Sequence, residues 1–226
     1  MSGPAQSYEQ YSGAHGPEWL LRIGDPAAAP ILFIAPLFEE MNRTRALIVA
    51  TMRALAAESH CCWLPDLTGT GESPGSLSEA TWDDWRHDVT SAAEHVAATH
   101  SQSPLIAAIR GGCLLDDAAQ GAGHWRFAPV PGASLARDLD RASLGGGAEW
   151  AGYHDTGAPL RQALAAAVPS DITPLRTARL STDAGAADAK VEGPALWRRS
   201  EPGNSADLAA ALAKDIADWR RTCAAS

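Results

Sequence analysis

An apolar run, Pro104-Leu105-Ile106-Ala107-Ala108-Ile109, leads straight into Arg110-Gly111-Gly112-Cys113-Leu114-Leu115. A strand that enters a tight turn with small residues around its apex, and leaves as a helix, has the geometry of a nucleophile elbow. Ala108, Gly111 and Gly112 supply the small residues, and Arg110 takes the apex. A guanidinium is not a nucleophile at any accessible pH. It can hold an anion, the more so at a helix N-terminus, or it can pair with a carboxylate and brace the turn. The segment Phe38-Glu39-Glu40-Met41-Asn42-Arg43 follows another apolar run and is expected as a loop beside the elbow. A buried guanidinium without a partner is costly, so Glu39 or Glu40 is expected to pair with Arg110. Either carboxylate could instead serve as general base toward water. Glu39, Glu40 and Arg110 are the candidate catalytic residues. Phe38, Asn42, Arg43, Arg110 and Gly111 are the candidate ligand-binding residues, for a small acyl or anionic ligand.

Other chemistry-bearing groups form a weaker pattern. Thr68-Gly69-Thr70-Gly71-Glu72-Ser73-Pro74-Gly75 is glycine-rich but lacks the GxxxxGK[ST] phosphate-loop pattern, and reads as a tight glycine turn. Ser73 within it is a hydroxyl without an obvious base. The seven histidines are His15, His60, His87, His95, His100, His124 and His154. His87 shares a helix face with Asp83, Asp84 and Asp88, which reads as a solvated face rather than a metal site. In a doubly wound α/β sheet with a nucleophile elbow, a triad takes its general base after the last strand, where this chain reads Trp197-Arg198-Arg199-Ser200-Glu201-Pro202. Asp183 follows a late strand, where the acid could sit. An acid with neither base nor nucleophile is a pseudo-triad. No metal and no cofactor is expected.

The elements that would position these groups alternate. Residues 1–16 read as a polar lead and Trp19–Ile23 as an edge strand. Ile31–Ala35, Cys61–Leu64 and Pro104–Ile109 are apolar runs of strand length, as in a parallel sheet buried on both faces. Trp125–Val130 is a fourth strand. Helices are expected over 43–58, 79–99, 158–168 and 205–222, with Thr81 as a cap and Asp83 and Asp84 in the first turn of the second. Residues 131–147 read as irregular, Glu149–Tyr153 as a short segment, and 131–157 as a candidate small cap. Late strands are expected at 175–182 and 190–198. Alternation through the first 130 residues predicts one α/β domain over 1–226: a doubly wound, mostly parallel sheet with helices on both faces. Ligands in such sheets gather beyond the carboxyl ends of the strands.

Composition narrows the partners. A net charge of −9 disfavours nucleic acid and anionic membrane. No run approaches the ~18 apolar residues of a membrane span. The start, MSGPAQSYEQ, has no signal-peptide pattern, and four cysteines without a CxxC pair read as free thiols, so a cytoplasmic protein is expected. The eight tryptophans read as packing residues.

Four segments carry a family resemblance. Ala35-Pro36-Leu37-Phe38-Glu39-Glu40-Met41-Asn42-Arg43-Thr44-Arg45 resembles the HPFAEEMNKSR loop of the exosortase A system-associated hydrolases of type 2. Asp66–Gly75 is similar to their DLxGxGDSxG loop, Ala80–Trp85 to their ATWxxW helix start, and Ile109–Leu115 to LRxGAxLA, where arginine also takes the apex. Ala35 departs from the family's histidine, and the chain after residue 131 is shorter. The resemblance implies an α/β-hydrolase fold with a reduced cap, and a protein partner from a protein-sorting or exopolysaccharide system. Two functions are expected from residues and resemblance together. One is an ester or thioester hydrolase or acyl-transfer enzyme with a non-standard site. The other is a catalytically silent binding or assembly protein that uses Arg110 to hold an anionic ligand or to brace the elbow.

Overall fold

The computed structural model describes residues 4–144 and 156–225. Its strands are β1 (Gln6–Gly13), β2 (Gly16–Ile23), β3 (Ala29–Ile34), β4 (His60–Pro65), β5 (Leu105–Ile109), β6 (Gly123–Phe127), β7 (Leu175–Leu180) and β8 (Ala189–Val191). They form one eight-stranded sheet in the order β1-β2-β4-β3-β5-β6-β7-β8. The β1–β2 and β2–β4 pairs are antiparallel and every other pair is parallel. The helices are α1 (Glu39–Ala57), α2 (Trp82–His100), α3 (Gly132–Leu144), α4 (Ala158–Ala166) and α5 (Ala206–Ala224).

The sheet is buried on both faces because β3 and β5 at its centre are apolar at every position. Successive side chains of a strand point to opposite faces. Thus Ile31 and Phe33 of β3, Ala107 and Ile109 of β5, and Trp125 and Phe127 of β6 meet α1 and α5. Leu32 and Ile34, Ile106 and Ala108 meet α2, α3 and α4. Trp63, Trp85 and Trp125 are fully buried, which bears out the packing role expected of tryptophan. Helix α2 starts where its capping signals lie. Asp84 N donates to Thr81 Oγ1 at 3.1 Å, and Thr81 N donates back to Asp84 Oδ2 at 2.8 Å.

The mostly parallel, doubly wound sheet agrees with the expected class, but four local readings are corrected. The supposed polar lead contains β1, which pairs along its whole length with β2. Its alternation is nearly all polar, so it lacks the apolar signature of a strand, and Tyr11 alone is buried. The 19–23 segment is accordingly interior, between β1 and β4. Gly132–Leu144 is a helix rather than irregular chain, with Leu135 and Leu139 buried one turn apart. Finally, 190–198 is a three-residue strand followed by a single 3-10 turn, Leu196–Arg198. Gly145–Gly147 and Glu149–Tyr153 lie outside the described residues.

Among the described residues, no helix is long and apolar enough to cross a membrane.

Candidate functional site

From β3 the chain runs through α1 to one neighbour of that strand, β4. From β4 it returns through α2 to the other neighbour, β5. The loops leaving β3 and β5 therefore diverge at a topological switch point, where such sheets place their sites. Arg110 leaves β5 with φ 54°, in the left-handed region, so the elbow is a sharp turn followed at once by a 3-10 turn, Arg110–Leu114. Gly112 lets that turn lie against β3: a Cβ there would stand 2.5 Å from the carbonyl oxygens of both Ile34 and Ala35.

The structure brings Arg110 and Glu40 together. Arg110 Nε donates to Glu40 Oε2 at 3.1 Å and Nη2 to Oε1 at 2.8 Å. This two-pronged geometry suits a guanidinium–carboxylate pair. Arg110 Nη1 donates to the carbonyl of Ala128, just beyond β6, at 3.2 Å. The Trp197 ring lies over the guanidinium, 4.7 Å from its centroid, at a distance typical of a cation–π contact. Side-chain exposures of 14% for Arg110 and 11% for Glu40 mark the pair as largely withdrawn from water.

The other candidate residues separate. Glu39 to Arg43 lie in the first turns of α1, not in a loop. Two acidic residues in an opening turn favour that early start, because they complement the partial positive charge there. Neighbouring helix positions point about 100° apart, so Glu40 faces the sheet while Glu39 sits beside Arg43, with 3.4 Å between Glu39 Oε1 and Arg43 Nε. Arg43 Nη1 also donates to the Trp197 carbonyl at 3.1 Å. Phe38, with φ 56°, is buried against Trp85 in the core on the α2 side. Asn42 is exposed. The space over Gly111 is filled: a Cβ there would meet Leu135 Cδ1 at 2.7 Å and Leu37 Cγ at 3.0 Å.

The remaining hydroxyl, thiol and carboxylate groups have structural settings. Ser73 Oγ donates to Glu18 Oε1 at 2.7 Å and accepts from the amides of Gly69 and Gly75 at 2.9 and 3.1 Å. It ties the glycine-rich turn together, as expected of that loop. Cys113 is buried and burial pushes its thiol well up, whereas a reactive cysteine needs the thiolate. Asp183 pairs with Arg179 at 2.8 Å. The acidic face of α2 is not wholly solvated as expected. Asp88 is fully buried and accepts from Thr68 N at 2.7 Å and Ala14 N at 2.8 Å.

Two contributors escaped the sequence reading. Trp197 was visible only as the occupant of the segment where a triad histidine would stand, and a tryptophan there reads as packing. Ala128 contributes through its backbone, which no side-chain pattern reveals.

Comparison with solved structures fits this architecture. A thermophilic esterase from Thermogutta terrifontis aligns over 96% of this chain and 99% of its own, at 15% identity and TM-score 0.60. A candidate aryl esterase from Burkholderia cenocepacia aligns over 97% and 100%, at 18% identity and TM-score 0.53. The fold is that of the α/β-hydrolases. An α/β serine hydrolase without a lid from Xanthomonas campestris aligns over 56% of this chain at 20% identity and TM-score 0.47, and the match spans only 62% of that protein. No protein-family model and no curated protein sequence matches the chain.

Proposed function

We propose that this chain is a binding or assembly protein on an α/β-hydrolase scaffold, in which the elbow is braced rather than catalytic. The observation that carries this reading is the engagement of Arg110: two donors on Glu40, one on the Ala128 carbonyl, and one ring face under Trp197. An arginine committed in this way serves as a clip between the turns after β3, β5 and β6 and the segment after β8. Leu37 and Leu135 add support, because they fill the space over Gly111, the residue next to the apex. Anion holding by Arg110 is thereby less favoured than bracing. The likeness of residues 35–45 and 66–75 to the exosortase-associated proteins supports a protein partner from a sorting or exopolysaccharide system.

The alternative is an ester or thioester hydrolase, or acyl-transfer enzyme, with Glu40 as base toward water and Arg110 holding an anionic group. It draws on the same juxtaposition of carboxylate and guanidinium, but it requires the pair to open in each turnover. A panel of p-nitrophenyl esters and acyl-CoA thioesters separates the two. The expected result is no turnover above background for the wild type, Arg110→Ala or Glu40→Gln. Wild-type turnover that a folded Glu40→Gln variant loses would establish the enzyme instead. Labelling of Ser73 by a reactive-serine probe would overturn both readings.

A further inference from the structure

β1 is an edge strand of eight residues. Long edges present unpaired backbone groups, and proteins usually blunt them with lysine, proline or a bulge. Between Gln6 and Gly13 there is no lysine and no proline, and the register against β2 runs without a bulge.

Three observations say which backbone groups face outward. Gly13 and Gly16 flank the two-residue turn Ala14–His15, as a hydrogen-bonded pair does in such hairpins. At the other end, Gly24 N donates to the carbonyl of Ala5, the odd-numbered residue just before this strand, at 2.9 Å. Between them, the Trp19 carbonyl turns away from its partner Gln10 and accepts from Asp66 N at 2.9 Å. Odd-numbered residues of β1 therefore bond to β2. Gln6, Tyr8, Gln10 and Ser12 direct their N–H and C=O groups away from the sheet. The same four residues are exposed, and Tyr8, at 52%, is one of two exposed large hydrophobic residues described.

We propose that β1 is the seam of a homodimer, pairing antiparallel with the same strand of a second copy about a twofold axis through Tyr8. The sequence of the edge fits itself in this register. Tyr8 stands opposite its counterpart on the exposed face, and Gln6 stands opposite Gln10 of the second copy. Both contacts are of the cross-strand kind that stabilises sheets. On the other face, Ser7 stands opposite Glu9 of the second copy. The neighbouring register, with its axis through Glu9, would set two like charges directly opposite, which is unfavourable. In the register through Tyr8, Glu9 does not face its counterpart, and Arg22 of its own chain holds it at 3.0 Å. The result is an isologous interface and a sheet continuous through both copies. The proposal does not depend on the function of the elbow.

Sedimentation of the full chain from about 1 μM to about 1 mM tests it, since a seam below the standard interface size gives a weak dimer. A monomer–dimer equilibrium is expected in that range. Tyr8→Lys and Tyr8→Pro should each weaken it at least tenfold with the thermal midpoint of the monomer nearly unchanged, because residue 8 bonds nothing within its own sheet. In a Cys223→Ser background, Tyr8→Cys should be trapped as a dimer by a short bismaleimide, and Gln10→Cys should not. A monomer throughout, or a dimer indifferent to both Tyr8 variants, overturns the proposal. Efficient trapping of Gln10→Cys in place of Tyr8→Cys overturns the register.

Discussion

Arg110 sits on a strained turn, and its side chain is what makes the strain tolerable. A non-glycine residue in the left-handed region costs ~1–2 kcal/mol. The ion pair, the carbonyl contact and the ring stacking all hold it there. The value of the pair lies in its mutual dependence. Removing one partner leaves the other charged in a low-dielectric pocket, at a cost of about 3–5 kcal/mol, whereas an apolar replacement of both is close to neutral. Arg110→Met and Glu40→Leu should each lower stability by about that amount, while the double variant that combines them recovers most of it. Urea unfolding of the four proteins as a double-mutant cycle measures the coupling. Additive losses would mean that the pair is not a brace. The sequence narrowed the partner to two adjacent glutamates. It could not choose between them, because the choice rests on which one the helix turns toward the sheet.

At the scale of elements, helix α2 was legible because its start is written in local chemistry. Thr81 and Asp84 bond each other's backbone amides, and Phe38 and Trp82 pack against Trp85 one layer below. Thr81→Ala should cost about 1 kcal/mol, measured by urea unfolding, and Thr81→Ser should cost little of it. Strand β1 was not legible because strand patterning reports burial. One face of β1 packs only lightly on α2 and the other meets solvent, so its residues alternate between two kinds of polar. Helix α1 begins before its apolar pattern does. Glu39 and Glu40 read as cleft residues until the structure shows them in an opening turn.

At the scale of the molecule, three carboxylates converge under the glycine-rich turn. Glu18 of β2 is 1% exposed, and Asp66 and Asp88 are buried beside it. Burial, followed by the negative charges of Asp88 and Asp66, raises the Glu18 carboxyl above its ordinary range. Burial likewise raises Asp66, against the pull of its hydrogen bonds and of Arg45. A raised folded-state value means that the folded protein holds the proton more tightly than the unfolded chain. Stability from these groups is therefore greatest at acid pH and falls as pH rises from the ordinary carboxylate range through the raised value. Glu18→Gln keeps an oxygen for the Ser73 hydroxyl and removes the charge. It should match the wild type near pH 4, about the ordinary range, and exceed it increasingly toward neutral pH in urea melts. A wild-type profile that Glu18→Gln leaves parallel would remove Glu18 as the cause.

The sequence by itself determined the parallel core, the elbow with arginine at its apex, and the absence of a histidine beyond residue 154. These rest on apolar runs, small residues and single positions, all of which are local. Only the tertiary structure decided that Glu40 rather than Glu39 meets Arg110, that Trp197 covers it, and that the polar lead is a strand. Those outcomes depend on helix phase, on segments far apart in the chain meeting at one site, and on backbone pairing that leaves little trace in side-chain type.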